Sequence, residues 1–270
     1  MHVISPMSRN LFRNAIIMSG TLNTDLAIKS KMENIDRAKE MAAFLRCPTE
    51  NDEQMLNCFL NADAKNLTKG QIHNSKKFIE INFAPIVDNY FLQKPNEILR
   101  KETIKKDVLI GFVKNEGSLF LLDFPKYFTF NGSVPINYSI AHKLMKKIIE
   151  PVQVNPAQLD SIFYVYGSHA HFSSEAEKYR YVLDQVAGDT IIKCPAINFS
   201  REWSTHSNVY MYSFEYRSNF TPWPEWMGVL HASDIFYVFS YALSGKNFSL
   251  DDNEVSEMMS SYFANFSKSG

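Results

Sequence analysis

Apolar residues with helical spacing and apolar residues with strand spacing alternate along this chain, and this constrains its fold more than any other feature. In residues 31–46 the apolar positions recur every three or four residues, which predicts an amphipathic helix. The runs 83–87, 108–112 and 209–216 are short and apolar or alternating, as in strands. Helices that alternate with strands predict an α/β fold.

A further helix is predicted near the end of the chain. Ser249 and Asp252 resemble a capping box and precede an apolar stripe that runs to Phe266. The stretches 61–82 and 124–133 are expected to be loop-rich excursions from one domain. No repeat, low-complexity tract or Gly/Ser linker divides the chain, so we expect one domain over residues 1–270.

Composition excludes two classes of function. The chain of 270 residues carries a formal net charge of -1 and has no dense Lys/Arg block, which argues against a nucleic-acid partner. No stretch approaches the roughly 20 apolar residues of a membrane span, and the first residues lack a signal-peptide pattern. Glycosylation sequons nevertheless favour the secretory route. They lie at Asn66, Asn131, Asn137, Asn198, Asn219, Asn247 and Asn265.

One acidic residue follows the most apolar strand. Residues 108–112 are succeeded by Lys114-Asn115-Glu116-Gly117-Ser118, and catalytic acids of α/β enzymes occupy such strand ends. An acid at this place is more often a helix cap or a solvated loop residue. Glu116 is therefore only a candidate on this ground.

A histidine follows a long aromatic loop after the last predicted strand. His231 comes at the end of the run Trp223-Pro-Glu-Trp-Met-Gly-Val-Leu-His. The order acid, then histidine, fits a hydrolase in which histidine takes the proton of a serine and the acid fixes its tautomer. A lone histidine in such a loop more often packs against the aromatic residues.

Two other patterns give weaker evidence for a functional site. His169 and His171 would lie on one side of a strand, as in some metal sites, but no third ligand stands at a suggestive spacing. The aromatic segment 120–130 is either a ligand wall or, more often, core packing.

Several segments together make the chain similar to the type-B carboxylesterase family, and within it to the cholinesterase branch. The resemblance covers essentially the whole chain, and the run from Trp223 to Gly228 is its most specific part. The segments are His2-Val-Ile-Ser-Pro, Ser8-Arg-Asn-Leu-Phe, Ile17-Met-Ser-Gly, Phe83-Ala-Pro-Ile-Val-Asp, the Glu116 loop, Gly188-Asp189 and the His231 loop.

The resemblance implies an α/β-hydrolase fold of which this chain is the C-terminal half, a mixed sheet flanked by helices. It implies Glu116 as the triad acid, His231 as general base and acid, and Ser19 with Asp234 as their supporting partners. Asp234 replaces the glutamate usual in cholinesterases. The resemblance implies no cofactor and no metal.

The nucleophile is expected outside this chain. No G-x-S-x-G motif occurs in it, and in the family the serine stands just before the segment that resembles Met1 to Pro6. We therefore expect the chain alone to be inactive. The complete protein is expected to be secreted or at the cell surface and to hydrolyse choline esters, and its C-terminal region allows a homo-oligomer. The alternatives are a non-catalytic adhesion relative and a broad carboxylesterase.

The same resemblance suggests the substrate walls and the cysteine pairing. An aliphatic acyl pocket is expected, wider than that of acetyl-selective relatives, with Leu119 in place of an aromatic beside Phe120. Cys47 and Cys58 are expected to form a disulfide and Cys194 to stay free. The residues expected to line the pocket and gorge are Leu26, Ile79, Ile81, Leu119, Phe120 and Trp223.

Overall fold

The computed structural model describes residues 1–24, 26–72, 78–104, 106–150, 154–245 and 247–270. Their internal contacts divide the chain into two compact units. The first contains Met1–Met7 and Asp25–Thr103, and the second contains Ser8–Thr24 and Ile104–Gly270. A single domain over 1–270 stays a prediction.

The first unit is helical. Its helices are α1 (Lys31–Leu45), α2 (Asp52–Leu60), α3 (Ala64–Ile72) and α4 (Asn96–Glu102). Helix α1 begins at a capping box, in which the Ser30 hydroxyl accepts from Glu33 N–H and the Glu33 carboxylate accepts from Ser30 N–H. It ends at Arg46, whose φ of 60° is left-handed. The predicted helix over 31–46 is thus confirmed.

A disulfide joins the end of α1 to α2. Cys47 and Cys58 are bonded, with their Cα atoms 5.8 Å apart, and Cys47 packs with Ala42 and Met55 in a small core. The predicted pairing is confirmed. Cys194 is free, as expected.

Two predictions in this unit are wrong. Residues 83–87 form no strand, because Pro85 has no N–H and its carbonyl accepts from Lys29 N–H rather than from a neighbouring strand. The expected loop 61–82 contains α3, whose first turn is capped when the Asp63 carboxylate accepts from Asn66 N–H (3.1 Å). Residues 73–77 of that stretch lie outside the described residues.

The second unit is built on a parallel sheet. Strands β1 (Ala15–Met18), β2 (Val108–Val113) and β5 (Val209–Phe214) pair in the order β1-β2-β5, all parallel. A mixed sheet was expected, but this three-stranded sheet is all parallel. The antiparallel pairing among the described residues lies in a separate ribbon, β3 (Phe128–Thr129) with β4 (Gly132–Ser133), within the stretch 124–133 that was expected to be loop-rich. The central strand β2 is almost entirely buried, which explains its continuous apolar sequence.

Helices cover this sheet, so the α/β class is confirmed. Helix α12 (Leu250–Ser269) packs Met259, Phe263 and Phe266 against Leu109 and Val113 of β2. It begins at the Ser249 and Asp252 capping box that the sequence predicts. None of the helices in the described ranges is both long enough and apolar enough to cross a membrane.

The helices of this unit are α5 (Glu116–Phe120), α6 (Tyr138–Ile148), α7 (Pro156–Gly167), α8 (Glu175–Gly188), α9 (Cys194–Trp203), α10 (Ile235–Val238), α11 (Tyr241–Ser244) and α12 (Leu250–Ser269), with a π-helical turn at Asp189–Lys193.

Candidate active site

Glu116 is a fully buried carboxylate at the end of the central strand. It is the first residue of α5, three positions after β2, and none of its surface is exposed. Its Oε1 accepts from the Val113 backbone N–H (2.8 Å) and from the Ser19 hydroxyl (2.6 Å), while Oε2 accepts from Nδ1 of His231. Both oxygens of this buried carboxyl group are therefore hydrogen-bonded, which offsets the loss of contact with water.

Ser19 reaches Glu116 from the neighbouring strand. It directly follows β1 with a left-handed φ of 50°, and its N–H donates to the carbonyl of Gly111 in β2 (2.8 Å). Since β1 and β2 are parallel and adjacent, their carboxyl ends meet at one edge of the sheet. The sheet therefore brings together two residues that are 97 positions apart in the chain.

His231 is brought to this edge by a loop that follows β5. Two residues before it, Val229 accepts at its carbonyl from Asn115 N–H (3.1 Å), and Leu230 forms a parallel bridge with Asn115. Gly228 turns the loop at φ 59°, and a Cβ there would lie 2.2 Å from Oδ1 of Asn115. Only glycine fits so close a backbone approach in the left-handed region.

His231 presents one ring nitrogen to the acid and leaves the other for a substrate or nucleophile. Nδ1 is hydrogen-bonded to Glu116, and within the described ranges Nε2 has no hydrogen-bond partner. A quarter of the side chain (25%) is exposed. The Phe120 ring lies 5.5 Å away, centroid to centroid. This is the arrangement that a general base needs, with the tautomer fixed by a carboxylate.

Electrostatics raise the pKa of His231. Burial by itself would lower this pKa, but the hydrogen bond and charge of Glu116 and the charge of Asp234 together outweigh it. The imidazolium is thus stabilised relative to a histidine in water. That is the state a general base enters when it accepts a proton.

The charge of Asp234 acts on His231, but within the described ranges Asp234 makes no hydrogen bond to His231 or to Ser19. Asp234 is 1% exposed, and its Oδ2 accepts from the Tyr212 hydroxyl (2.7 Å). Its Oδ1 is buried and has no hydrogen-bond partner within the described ranges. Burial and the nearby charge of Glu116 raise the pKa of this carboxyl group. Ser19, by contrast, contacts Glu116 directly.

Three of the residues expected to line the substrate space lie in the same unit as Glu116 and His231. Phe120 lies beside His231, and Leu119 is half-buried next to it in α5. The indole N–H of Trp223 donates to the Gly228 carbonyl (3.0 Å), so this side chain braces the histidine loop.

Three others belong to the first unit. Leu26 and Ile79 are half-buried, Ile79 has a φ of 50°, and Ile81 is 43% exposed. Their place in an acyl pocket stays a prediction.

Sequence reasoning missed the groups that hold the two loops together. Asn115 links the acid loop to the histidine loop, and its Nδ2 donates to Asp184 on α8 (2.6 Å). A Cβ on Gly117 would lie 1.9 Å from the carbonyl oxygen of Asp184, so α5 and α8 are in backbone contact. The available signal was glycine at both contact points, Gly117 and Gly188.

In the part of the chain that the structure describes, no group of three or more His, Cys, Asp or Glu side chains could hold a metal ion. His169 and His171, the one suggestive pair in the sequence, are both exposed.

Comparison with known proteins decides the family. Residues 1–270 match the family model described as the carboxylesterase family. The chain belongs to the carboxylesterase family. The α/β-hydrolase fold expected from the sequence is therefore confirmed.

The similar proteins include named cholinesterases. The chain is 32% identical to a cholinesterase of Mus musculus and 31% identical to an acetylcholinesterase of Bungarus fasciatus; each match covers all of this chain and 45% of the relative. It is 30% identical over 85% of its length to an acetylcholinesterase of Myxine glutinosa, of which the match covers 68%. The chain thus spans about half the length of the first two relatives.

Proposed function

We propose that the complete protein containing this carboxylesterase-family chain hydrolyses carboxylic esters through an acyl-serine intermediate, with choline esters as the substrate class. Glu116 is the acid of its triad and His231 the general base and acid. The observation that carries this is the hydrogen bond between Nδ1 of His231 and the unexposed carboxylate of Glu116, which leaves Nε2 for a serine hydroxyl.

The chemistry divides between this chain and a segment outside it. His231 takes the proton of the nucleophile as the serine oxygen attacks the ester carbonyl, and returns it to the leaving alcohol. Glu116 stabilises the resulting imidazolium. In this proposal the serine and the oxyanion-hole donors belong to a part of the complete protein outside this chain, which spans about half the length of the first two relatives and contains no G-x-S-x-G motif.

Choline esters are favoured by similarity and by one aromatic wall. Two of the relatives are named acetylcholinesterase and one cholinesterase. The Phe120 ring beside His231 offers a face to a quaternary ammonium group. A secreted or cell-surface location is supported by the Cys47–Cys58 disulfide and by exposed sequons such as Asn66 and Asn131.

The test is to determine the coding sequence upstream of Met1, express the complete protein and assay acetylthiocholine, butyrylthiocholine and 4-nitrophenyl acetate. A serine in the elbow with turnover that His231→Ala abolishes supports the proposal. Glycine in its place, with no turnover, would identify a non-catalytic adhesion relative instead. Hydrolysis of the nitrophenyl ester without that of either choline ester would identify a broad carboxylesterase. The 270-residue chain alone should show no turnover of any of them.

A further inference from the structure

Asn115 uses every polar group of its side chain to join three segments. Its Oδ1 accepts from the Val229 backbone N–H (3.0 Å), and its Nδ2 donates to Oδ2 of Asp184 (2.6 Å). Its own backbone N–H donates to the Val229 carbonyl (3.1 Å). One residue, adjacent to Glu116, thus ties the end of β2 to the His231 loop and to α8.

The side chain at this position must be both a donor and an acceptor. An amide supplies an acceptor for Val229 and a donor for Asp184, whereas an ionised carboxylate has no donor and an aliphatic group has neither. A Cβ at Gly228 would lie 2.2 Å from Oδ1 of Asn115, so a side chain at position 228 would displace the amide. The amide therefore fixes the backbone two residues before His231.

Burying the carboxyl group of Asp184 in α8 lowers the stability of the fold. Asp184 is 4% exposed, and Oδ2 also accepts from Nε2 of Gln185 (3.0 Å). Oδ1 is buried without a partner in the described residues. Burial raises the pKa of this carboxyl to about 6, although the hydrogen bond from Asn115 and the charge of Lys193 act in the opposite direction. An apolar side chain would fill this position without that cost.

The carboxylate has one evident effect that an apolar side chain would lack. As an acceptor it can face only the NH₂ end of the Asn115 amide, so the carbonyl end is turned toward Val229. We propose that Asn115 and Asp184 are positioning residues, which together hold the His231 loop so that Nδ1 meets Glu116. The role of the contact in catalysis rests on the proposed function, whereas the positioning itself does not.

The first test uses the 270-residue chain. It asks whether a substitution changes the position of His231, the stability of the fold, or both. Asp184→Leu removes the acceptor and also the buried charge, whereas Asp184→Asn keeps an acceptor for Asn115. Two quantities are measured: the NMR titration midpoint of His231 with the low-field resonance of its shared proton, and the free energy of unfolding. We expect Asp184→Leu to lose the low-field resonance and lower the midpoint while stability is kept or rises. Asp184→Asn should keep the resonance.

Asn115→Ala, compared with Ser118→Ala, provides the matched pair. Ser118 is fully buried, and its hydroxyl lies within hydrogen-bond distance of the Met227 carbonyl in the His231 loop (2.8 Å) and of the Asn115 carbonyl (2.9 Å). Ser118→Ala therefore also weakens the loop but leaves the Asn115 side chain in place. We expect Asn115→Ala, and not Ser118→Ala, to lower the His231 midpoint. Equal effects of both, or an unchanged midpoint in Asn115→Ala and Asp184→Leu, would overturn the proposal.

Turnover of the complete enzyme gives a readout that distinguishes the two proposals. A misplaced base should reduce kcat by about 10²-fold and change KM little. If the complete protein has no esterase activity but Asn115→Ala still shifts the His231 titration, the proposed function fails and the positioning stands. If activity is present but kcat and the titration are unchanged in Asn115→Ala, the positioning fails alone.

Discussion

Nδ1 of His231 is hydrogen-bonded to Glu116, a carboxylate with no exposed surface, across 115 residues of sequence. Nothing along the chain links the two, and the contact exists because strands β2 and β5 are adjacent and parallel. The loops at their carboxyl ends then meet at one edge of the sheet. The order of the strands in the sheet thus brings Glu116 and His231 together.

Glu116→Gln should lower the pKa of His231. In the wild-type protein the hydrogen bond and charge of Glu116 overcome the effect of burial, which alone lowers this pKa. A neutral glutamine removes the charge and leaves burial opposed mainly by the charge of Asp234. The midpoint is measured from the His231 ring protons by NMR, with the exposed Glu257→Gln as control. A midpoint as high as in the wild type would refute the electrostatic role of Glu116.

Two substitutions of Ser19 should distinguish how its hydroxyl and its left-handed backbone each affect stability. Ser19→Ala loses the hydrogen bond to Glu116 and should destabilise the fold by about 1 to 3 kcal/mol. Ser19→Gly loses the same bond but relieves the left-handed φ of 50°, a gain of about 1 kcal/mol. Urea unfolding should therefore rank wild type above Gly, and Gly above Ala. An alanine variant at least as stable as the glycine variant would contradict this ranking.

The sequence predicted best what depends on local periodicity. Helix α1, with its end at Arg46, and helix α12, with its capping box, follow from spacing and side-chain chemistry within a few residues. The strand over 83–87 was predicted wrongly because apolar residues around Pro85 satisfy the pattern, whereas a strand also needs a partner and N–H donors.

Family similarity allowed the acid and the histidine of the candidate site to be predicted, but not the residues that hold their loops together. Glu116 and His231 were named from segments that resemble a known family. The Asn115–Asp184 link was missed, because a hydrogen bond between residues 69 positions apart leaves no local pattern. Burial of Asp184 is likewise invisible in the sequence, where it stands among ordinary helix-forming residues.

Loss of the disulfide should destabilise the first unit. The bond between Cys47 and Cys58 closes a loop with a sequence separation of 11, and in the chain-entropy model this is worth about 3 kcal/mol. The double variant Cys47→Ser/Cys58→Ser should lose roughly that amount in denaturant unfolding. Cys194→Ser, which changes a free thiol, serves as control. Similar stability of the double variant and the control would argue against a stabilising bridge.

Asp184 should make stability fall as pH rises from about 4 to 6. Its folded pKa of about 6 lies above the ordinary 3.8, so the folded state holds a proton that the unfolded chain has lost. Ionisation in the folded state costs about 3 kcal/mol at neutral pH, at about 1.4 kcal/mol per pKa unit. Asp184→Asn cannot ionise, so the difference in unfolding free energy between the two proteins should change by that amount between pH 3.5 and 7. A constant difference would show that Asp184 titrates normally.

If the complete protein is the esterase proposed above, its acyl pocket should accept chains longer than acetyl. We expect Leu26, Ile79 and Ile81 to stand where acetyl-selective relatives have bulky aromatic residues. Each additional methylene buried in the freed space contributes about 0.8 kcal/mol, or roughly a fourfold gain in kcat/KM. Butyrylthiocholine has two more methylenes than acetylthiocholine, so a preference of about fifteenfold is the upper expectation.

Aromatic substitutions test whether that space is real. Ile79→Phe and Ile81→Phe should reduce kcat/KM for the butyryl ester far more than for the acetyl ester, because a phenyl ring occupies the volume that the longer chain needs. Ile98→Phe is the matched control, since Ile98 lies in the same unit and is 43% exposed, as is Ile81. Its selectivity should equal that of the unmutated enzyme. Strong rejection of the butyryl ester by the unmutated enzyme, or equal losses for both esters in the two variants, would show that these isoleucines do not bound the acyl pocket.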